Sequence, residues 1–586
     1  MMTTIAKINL ILNKKLKNYF IFIFIIIFAT MILETLSLAS FYPLLDIIFA
    51  NSSTGEENFI KNFYLKFLSY LNIENDYKLN FTISLVGILF LLKISILLFC
   101  NWHSSNFEFA IRFFLTKKLY KTYLKKDYQS LIKYNSADII KNIDHEINIF
   151  ASGVSAIMTI LTEGIIFIGI LIFLFYFNPH VTLILLLFFT LTFFMLQFTY
   201  NKTLINWGLI SQKFNKLRIK NFIESFNAIK EIKIFGKEKL FYESMDRFNK
   251  KFFNINRKEI FIRNVPKAFL EALLILIIIF YLIFFSTSFN DIQNQFAYIG
   301  IYLIAAYRIL PSLNRVIVSF QRLSFSQVFI INISTQLEEN LKDQITNRNF
   351  NLSDETIIIP KKHLALKNCS FFFNENNEKI LNNVDIKFDL GKIYGIKGGS
   401  GAGKTTLLNI VSGLIYPSKG NLLIDDFPIN KNNLKAFQKN VSYVPQNVFL
   451  FDTSIQKNIN LLIDEEFENN KEDKKIRSLI NSLSLDSKIL KLEKGLDSIV
   501  GERGVNLSGG QIQRIGIARA LYHEPKILIL DEATNAIESS IESDVLDYLV
   551  SIKKDKIIIL VAHRDSAFKK CDEIYELDSG KLTTKK

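Results

Sequence analysis

The sequence predicts an α-helical transmembrane domain of six spans followed by an α/β domain built around a phosphate-binding loop. Two observations carry this. Six mostly apolar stretches fall within the first 320 or so positions, each close to the roughly 20 residues that a helix needs to cross a bilayer. Further on, Gly398-Gly399-Ser400-Gly401-Ala402-Gly403-Lys404-Thr405-Thr406 fits G-x-x-x-x-G-K-[ST]. Apolar residues flank it on both sides, Ile393, Tyr394 and Ile396 before and Leu407, Leu408, Ile410 and Val411 after, which is the strand–loop–helix setting that the motif requires. Composition agrees: 49% of the 586 residues are hydrophobic, and the mean hydropathy is +0.23.

The expected spans run near 19–45, 81–99, 154–177, 181–200, 269–287 and 296–317. The turn Asn178-Pro179-His180 joins the third and fourth. The first apolar stretch is too long for a cleaved signal peptide. Positions 1–18 carry Lys7, Lys14, Lys15 and Lys17 and no acid, whereas the following loop carries Glu56, Glu57, Glu74 and Asp76. By the positive-inside rule the basic end is cytoplasmic, and an even number of spans returns the C-terminal half to the same side. The +15 net charge is spread over lysines beside apolar spans. It reads as flanking cations, and no nucleic-acid partner is expected. The three cysteines (Cys100, Cys369, Cys571) lack ligand spacing, so neither a disulfide framework nor a cysteine metal site is expected.

Two long segments, about 103–150 and 201–262, are amphipathic and rich in Lys and Glu. They predict helices extending into the cytoplasm, with tips near 127–136 and 225–236. The transmembrane domain is expected over 1–325, a polar linker over 326–360 and a nucleotide-binding domain over 361–586.

In that last domain the backbone around Gly398, Ser400, Gly401 and Gly403, with Lys404, Thr405 and Thr406, suits the phosphates of ATP, and the Thr405 hydroxyl suits Mg²⁺. Phe373 is either an adenine platform or a buried strand aromatic. Gln446 follows an apolar strand. Ser508, Gly509, Gly510 and Gln511 open a helix and offer a second anion cradle. The continuous apolar run Ile527–Leu530 predicts a buried parallel strand ending at Asp531, suited to Mg²⁺, and Glu532, suited to the attacking water. A second such strand ends at His563, placed for the γ-phosphate.

This ordered set, over roughly 361–586, resembles the ATP-binding cassette. Six spans ahead of one cassette resemble a type IV exporter half-transporter. The resemblance implies a homodimer with each ATP held between the 398–405 loop of one copy and Ser508 to Gln511 of the other. It also implies Gln446 beside the metal, and Glu532, His563, Gln446 and Lys404 in hydrolysis. One departure is visible: the family usually reads Ala-Thr-Ser-Ala-Leu-Asp after the glutamate, and this chain reads Ala533-Thr534-Asn535-Ala536-Ile537-Glu538, with the longer Glu538 in place of the aspartate.

The cargo must be read from the spans. Lys93, Lys267 and Arg308 fall at intramembrane positions, where charge marks a cavity or a partner. They either ring an anionic headgroup or pair with Glu34, Glu163 and Glu271. Pro266–Glu271 and Tyr307–Arg315 resemble motifs of PglK-type flippases of lipid-linked oligosaccharides, and the aromatic segment 60–71 resembles their external helix, although an ordinary folded loop fits it equally. The expectation is an inner-membrane flippase moving such a lipid to the periplasmic leaflet, with membrane lipids as partners. The alternatives are another amphipathic cargo (a lipid A precursor, drug or peptide) or a cassette protein that gates without transport.

Overall fold

A computed structural model describes residues 2–49, 59–71, 77–177, 179–285, 292–348, 359–372, 379–461, 470–485 and 494–584. It divides into two compact units, one of residues 1–126 and 133–346, the other of 127–132 and 347–586. The start of the first expected tip thus groups with the second unit.

The first unit is helical. Its helices are α1 (Met2–Ile11), α2 (Lys14–Ala39), α3 (Phe41–Phe49), α4 (Phe59–Tyr70), α5 (Lys78–Lys125), α7 (Ser136–Lys141), α8 (Ile147–Phe177), α9 (Pro179–Asn227), α10 (Ile229–Ile234), α11 (Glu238–Phe285) and α12 (Ile292–Arg348); the short α6 (Tyr128–Leu131) lies in the second unit. At 1.5 Å per residue, the 48 residues of α5 reach about 72 Å, more than twice the hydrocarbon thickness. The long inter-span segments are therefore helical continuations of the spans. At the second expected tip, α10 is set off from α9 by Ala228 and from α11 by Gly236 at φ +60°.

Phe107, Ile111, Leu115 and Leu119 recur every fourth residue on α5, and all are buried. They share a core with Ile23 and Ile27 of α2, Phe150 of α8 and Ile330 of α12. A second core joins Leu38, Ile166, Ile170, Phe189, Leu270, Ile309 and Leu313. Five helices among the described residues are long and apolar enough to cross a membrane: 14–44, 78–125, 136–176, 182–227 and 304–339. The remaining expected span, 269–287, forms the end of α11, and its last two positions lie outside the described residues.

The expected linker begins differently from its reading. α12 continues to Arg348, because Phe329, Ile330, Ile333 and Leu337 fall at helical spacing and are buried. Of the polar residues between them, Ser334 is fully buried and Asn332 donates to the buried Glu146 carboxylate at 2.5 Å. The segment 60–71 is helical too, as α4. Tyr64 and Leu68 are its buried face, and the Tyr64 hydroxyl meets the Thr82 hydroxyl at 2.5 Å. Phe67 and Tyr70 are exposed.

The second unit carries two sheets. β1 (His363–Phe372), β2 (Lys379–Asp389), β4 (Lys419–Ile424) and β5 (Phe427–Pro428) form an antiparallel sheet in the order β2-β1-β4-β5. β3 (Ile393–Gly398), β6 (Val441–Val444), β7 (Ile527–Asp531), β8 (Ile557–Val561), β9 (Glu573–Asp578) and β10 (Lys581–Thr584) form the other, in the order β10-β9-β3-β8-β7-β6. Strands β9, β3, β8, β7 and β6 run parallel. β7 and β8 are wholly buried, as their unbroken apolar sequences require. Ligand sites of such sheets lie beyond the C-terminal strand ends, where Gly398, Val444, Asp531 and Val561 stand.

Close helix approach in the first unit depends on small residues. A Cβ at Gly208 on α9 would lie 2.6 Å from the Phe325 carbonyl oxygen on α12, and a backbone atom cannot rotate away. Gly208→Ala should destabilise the membrane unit by about 1–3 kcal/mol, read as a lowered Tm of the purified protein in detergent.

Candidate functional site

The loop after β3 is shaped by glycine. A Cβ at Gly398 would meet the Leu577 carbonyl oxygen at 2.4 Å, and Gly403, at φ +100°, caps the helix Lys404–Val411. Lys404 is buried, and its ammonium donates to the carbonyls of Gly398 at 2.7 Å and Gly399 at 3.2 Å. The loop therefore surrounds a cation at a helix N-terminus, a setting that favours anions.

At the end of β7 stand two carboxylates with different surroundings. Asp531 is buried and accepts from the Tyr443 hydroxyl at 2.8 Å, with the Thr405 hydroxyl close enough to favour its charged form. Burial, more than any neighbour, raises its carboxyl above the ordinary aspartate range; the two hydroxyls and Lys404 act the other way. Tyr443 is itself raised, mainly by burial and then by the Asp531 charge. Two neighbouring hard oxygen donors, Thr405 and Asp531, suit Mg²⁺, which takes few protein ligands alongside substrate phosphates.

Glu532 has φ +53°, a conformation that a non-glycine residue adopts rarely. Its N–H donates to the Val561 carbonyl at 3.0 Å. Gln446 donates through Nε2 to Glu532 Oε2 at 2.7 Å, and His563 Nε2 lies 2.8 Å from Oε1. Three sequence-selected residues from the ends of β6, β7 and β8 thus meet at one carboxylate. Sequence reasoning did not select Asn535, whose Nδ2 donates to the same Oε2 at 3.0 Å, nor Tyr443 on Asp531. No signal in the sequence points to either, since the departure from the family order is read at Glu538.

Ser508 caps the helix Gly509–Tyr522. Its hydroxyl accepts from the Gln511 N–H at 3.4 Å, while the Gln511 side chain accepts from the Ser508 N–H at 2.7 Å. The capping box fixes Gln511 locally and leaves the Ser508 hydroxyl proton free to donate outward. Phe373 lies outside the described residues.

In the first unit, Lys93 Nζ lies 2.8 Å and Arg308 Nε 2.5 Å from Glu34 Oε1. Arg308 also approaches Glu163 at 3.6 Å, and Arg315 Nε pairs with Glu163 at 2.8 Å. The Ser312 hydroxyl donates to Glu163 at 2.7 Å. Arg308, Ser312 and Arg315 follow helical spacing on one face of α12. The cluster ties together α2, α5, α8 and α12. Lys267 and Glu271 are exposed on α11 and take part in none of these pairs. Lys93 and Arg308 are thus joined through a carboxylate, and the third cation is Arg315 rather than Lys267. Glu34 is almost fully enclosed at 2% exposure, whereas the Arg315 side chain is 48% exposed.

Comparison with known proteins gives two family matches, to the ABC transporter transmembrane region over residues 19–306 and to the ABC transporter domain over 381–535. An ATP-dependent lipid A-core flippase of Yersinia pestis is 27% identical over 448 residues, 74% of this chain and 72% of that protein. A Rickettsia typhi relative of the export ATP-binding/permease kind is 40% identical over 223 residues, and the match spans only 38% of each chain. Among solved structures, a bacterial Atm1-family ABC exporter with ATP bound superposes with a TM-score of 0.70, covering 97% of this chain and 95% of the other at 18% identity, a likeness of fold.

Tyr443→Phe removes a hydrogen bond that favours the charged form of Asp531, so the already raised carboxyl should rise further. Hydrolysis that needs Asp531 ionised should then fail at higher pH. A pH–rate profile of ATPase activity should show the acid limb displaced upward and the alkaline side unchanged.

Proposed function

The chain belongs to the ABC transporters, with a transmembrane region and an ATP-binding domain, and from that premise we propose that it flips a phosphate-bearing lipid across the bacterial inner membrane. It is an ATP-driven, multi-pass membrane exporter. Our reading of the cargo is a polyprenyl pyrophosphate-linked oligosaccharide, carried from the cytoplasmic to the periplasmic leaflet, with both chain termini in the cytoplasm.

The nucleotide chemistry follows from the meeting of side chains at Asp531 and Glu532. Two copies pair, and Ser508 and Gly510 of each face the phosphate loop of the other. Lys404 and the backbone N–H groups of Gly401 to Thr406 bind the phosphates. Thr405, Asp531 and the amide oxygen of Gln446 would hold Mg²⁺, which would supply positive charge against the phosphates. Glu532 orients the attacking water and accepts its proton. His563 contacts the γ-phosphate from the end of β8.

The single observation that carries the cargo reading is the intramembrane cluster. Charge in hydrocarbon requires a partner. Within the cluster three cations, Lys93, Arg308 and Arg315, face two carboxylates, Glu34 and Glu163. One positive charge is left over, and the half-exposed guanidinium of Arg315 is where a planar donor fork is offered to a phosphate. The likeness of 266–271 and 307–315 to PglK-type flippases supports an isoprenoid pyrophosphate. The relationship to a lipid A-core flippase supports a second reading, a phosphorylated glycolipid.

Joint removal of Lys93 and Arg308 would strand a buried carboxylate, so Arg315 is the more informative target. In proteoliposomes, Arg315→Gln should slow flipping at least about tenfold, the scale of one charge-assisted hydrogen bond, and abolish lipid stimulation of ATPase activity. Glu532→Gln should abolish both hydrolysis and flipping. Translocation of lipid-linked oligosaccharide but not lipid A supports the first cargo, and the reverse supports the second. ATPase activity with neither lipid moved would leave a gating role.

A further inference from the structure

We propose that Asn535 is a positioning residue for Glu532: its amide fixes which carboxylate oxygen is turned toward the attacking water. The inference deepens the reading of Glu532 given above and rests on it.

The carboxylate is held unevenly. Oε2 takes two amide donors, Gln446 at 2.7 Å and Asn535 at 3.0 Å, while among the described residues Oε1 meets only the His563 ring at 2.8 Å. Gln446 is exposed and the His563 side chain is half exposed. Asn535 differs from both in being anchored through its own backbone. Its N–H donates to the Glu532 carbonyl at 3.2 Å, and its carbonyl accepts from Arg564 at 3.2 Å. Arg564 also binds the Ile537 carbonyl at 3.0 Å and the buried Glu542 carboxylate at 3.0 Å. From the other side Gln513, itself buried, accepts from the Ala536 N–H at 2.9 Å and reaches the Glu532 carbonyl at 3.4 Å. Thr534 is fully buried. The segment 532–537 is therefore pinned along both edges, and the amide of Asn535 has one place to go.

The residue type matters. A serine, usual here in the resembling family, ends its side chain one atom earlier and cannot bring a donor to the same point without moving the backbone. Asparagine supplies a planar N–H at the correct length and carries no charge that would repel Glu532. With Oε2 saturated by two N–H donors, Oε1 is the oxygen left to receive a proton. The same segment touches the helix Gly509–Tyr522: a Cβ on Gly510 would lie 2.8 Å from the Ala536 carbonyl oxygen. Gln513 belongs to that helix as well. Displacement of the helix is thus transmitted to Asn535, and through it to the orientation of Glu532.

The test is steady-state ATPase kinetics on the purified full-length protein in lipid nanodiscs, with binding of a fluorescent ATP analogue measured in parallel. Asn535→Asp keeps the shape and exchanges the donor for a like charge; Asn535→Ala removes the donor without adding charge. Both should lower kcat at least about tenfold, as loss of a hydrogen bond to a charged group implies, with KM and analogue affinity within about twofold of the parent. A parental kcat in either variant overturns the proposal. So does a parallel loss of kcat and nucleotide affinity, or loss of monodisperse protein in both variants, because each marks Asn535 as merely structural. Glu532→Gln separates the two layers. If that variant still hydrolyses ATP, the assignment of Glu532 fails. If it is inactive while Asn535→Asp is unimpaired, only the role of Asn535 falls.

Discussion

A carboxylate withdrawn from water must be given donors, and this requirement organises both units. Glu34 is enclosed between Lys93 and Arg308. Glu146, fully buried, takes Lys141 at 2.9 Å, Gln212 at 2.9 Å and Asn332 at 2.5 Å. Asp531 takes the Tyr443 hydroxyl, and Glu542 takes Arg564. Removing one partner from such a group costs several kcal/mol, more than the pair contributes over a hydrophobic replacement. These contacts are therefore better at specifying geometry than at adding stability. They fix which helices stand together in the first unit and which loops converge in the second.

The difference between the two clusters lies in how completely they are satisfied. Around Glu146 the donors come from α7, α9 and α12 and close on a side chain with no exposure. That arrangement is a tie between helices. Around Glu34 and Glu163 the cations outnumber the carboxylates, and Arg315 keeps half its surface open. A structural tie has no use for a surplus charge inside a membrane, where the surplus is costly. A site that alternately holds and releases an anion does, because the carboxylates keep the cations occupied between visits. On the proposed reading, an anionic ligand would compete with Glu163 for Arg315 rather than with bulk water.

Much of the nucleotide site was legible in the sequence because its parts are local. Gly398 to Thr405 is a strand–loop–helix unit whose geometry is set by its own residues, and β7 and β8 announce themselves by unbroken apolar runs. What was not legible is tertiary. Tyr443 and Asp531 are far apart in the chain, and nothing in the spacing pairs them. Pairing of the intramembrane cations with Glu34 and Glu163 was one of the two sequence alternatives, but spacing could not show that Lys93 and Arg308 share Glu34 or that Arg315 takes part and Lys267 does not. The start of the linker was placed too early because polar residues interleaved with Phe329, Ile333 and Leu337, among them the buried Ser334, concealed their helical spacing.

Local geometry also changes how the signature residues should be interpreted. Gly510 is assigned to a phosphate across the proposed dimer, but within one chain it is already required, since any side chain there would press on the Ala536 carbonyl. Substitution at Gly510 would disturb Glu532 through Asn535 in the same subunit, so lost hydrolysis would not isolate a contact across the dimer. Ser508 is cleaner. Its oxygen accepts within the capping box, while its proton remains to be donated elsewhere. Replacing it with asparagine or aspartate, which also cap helices well, preserves the helix start while changing the group presented to the phosphate. The two residues look equivalent in the motif, yet of the two it is the serine that separates folding of its own helix from the proposed contact with nucleotide across a dimer.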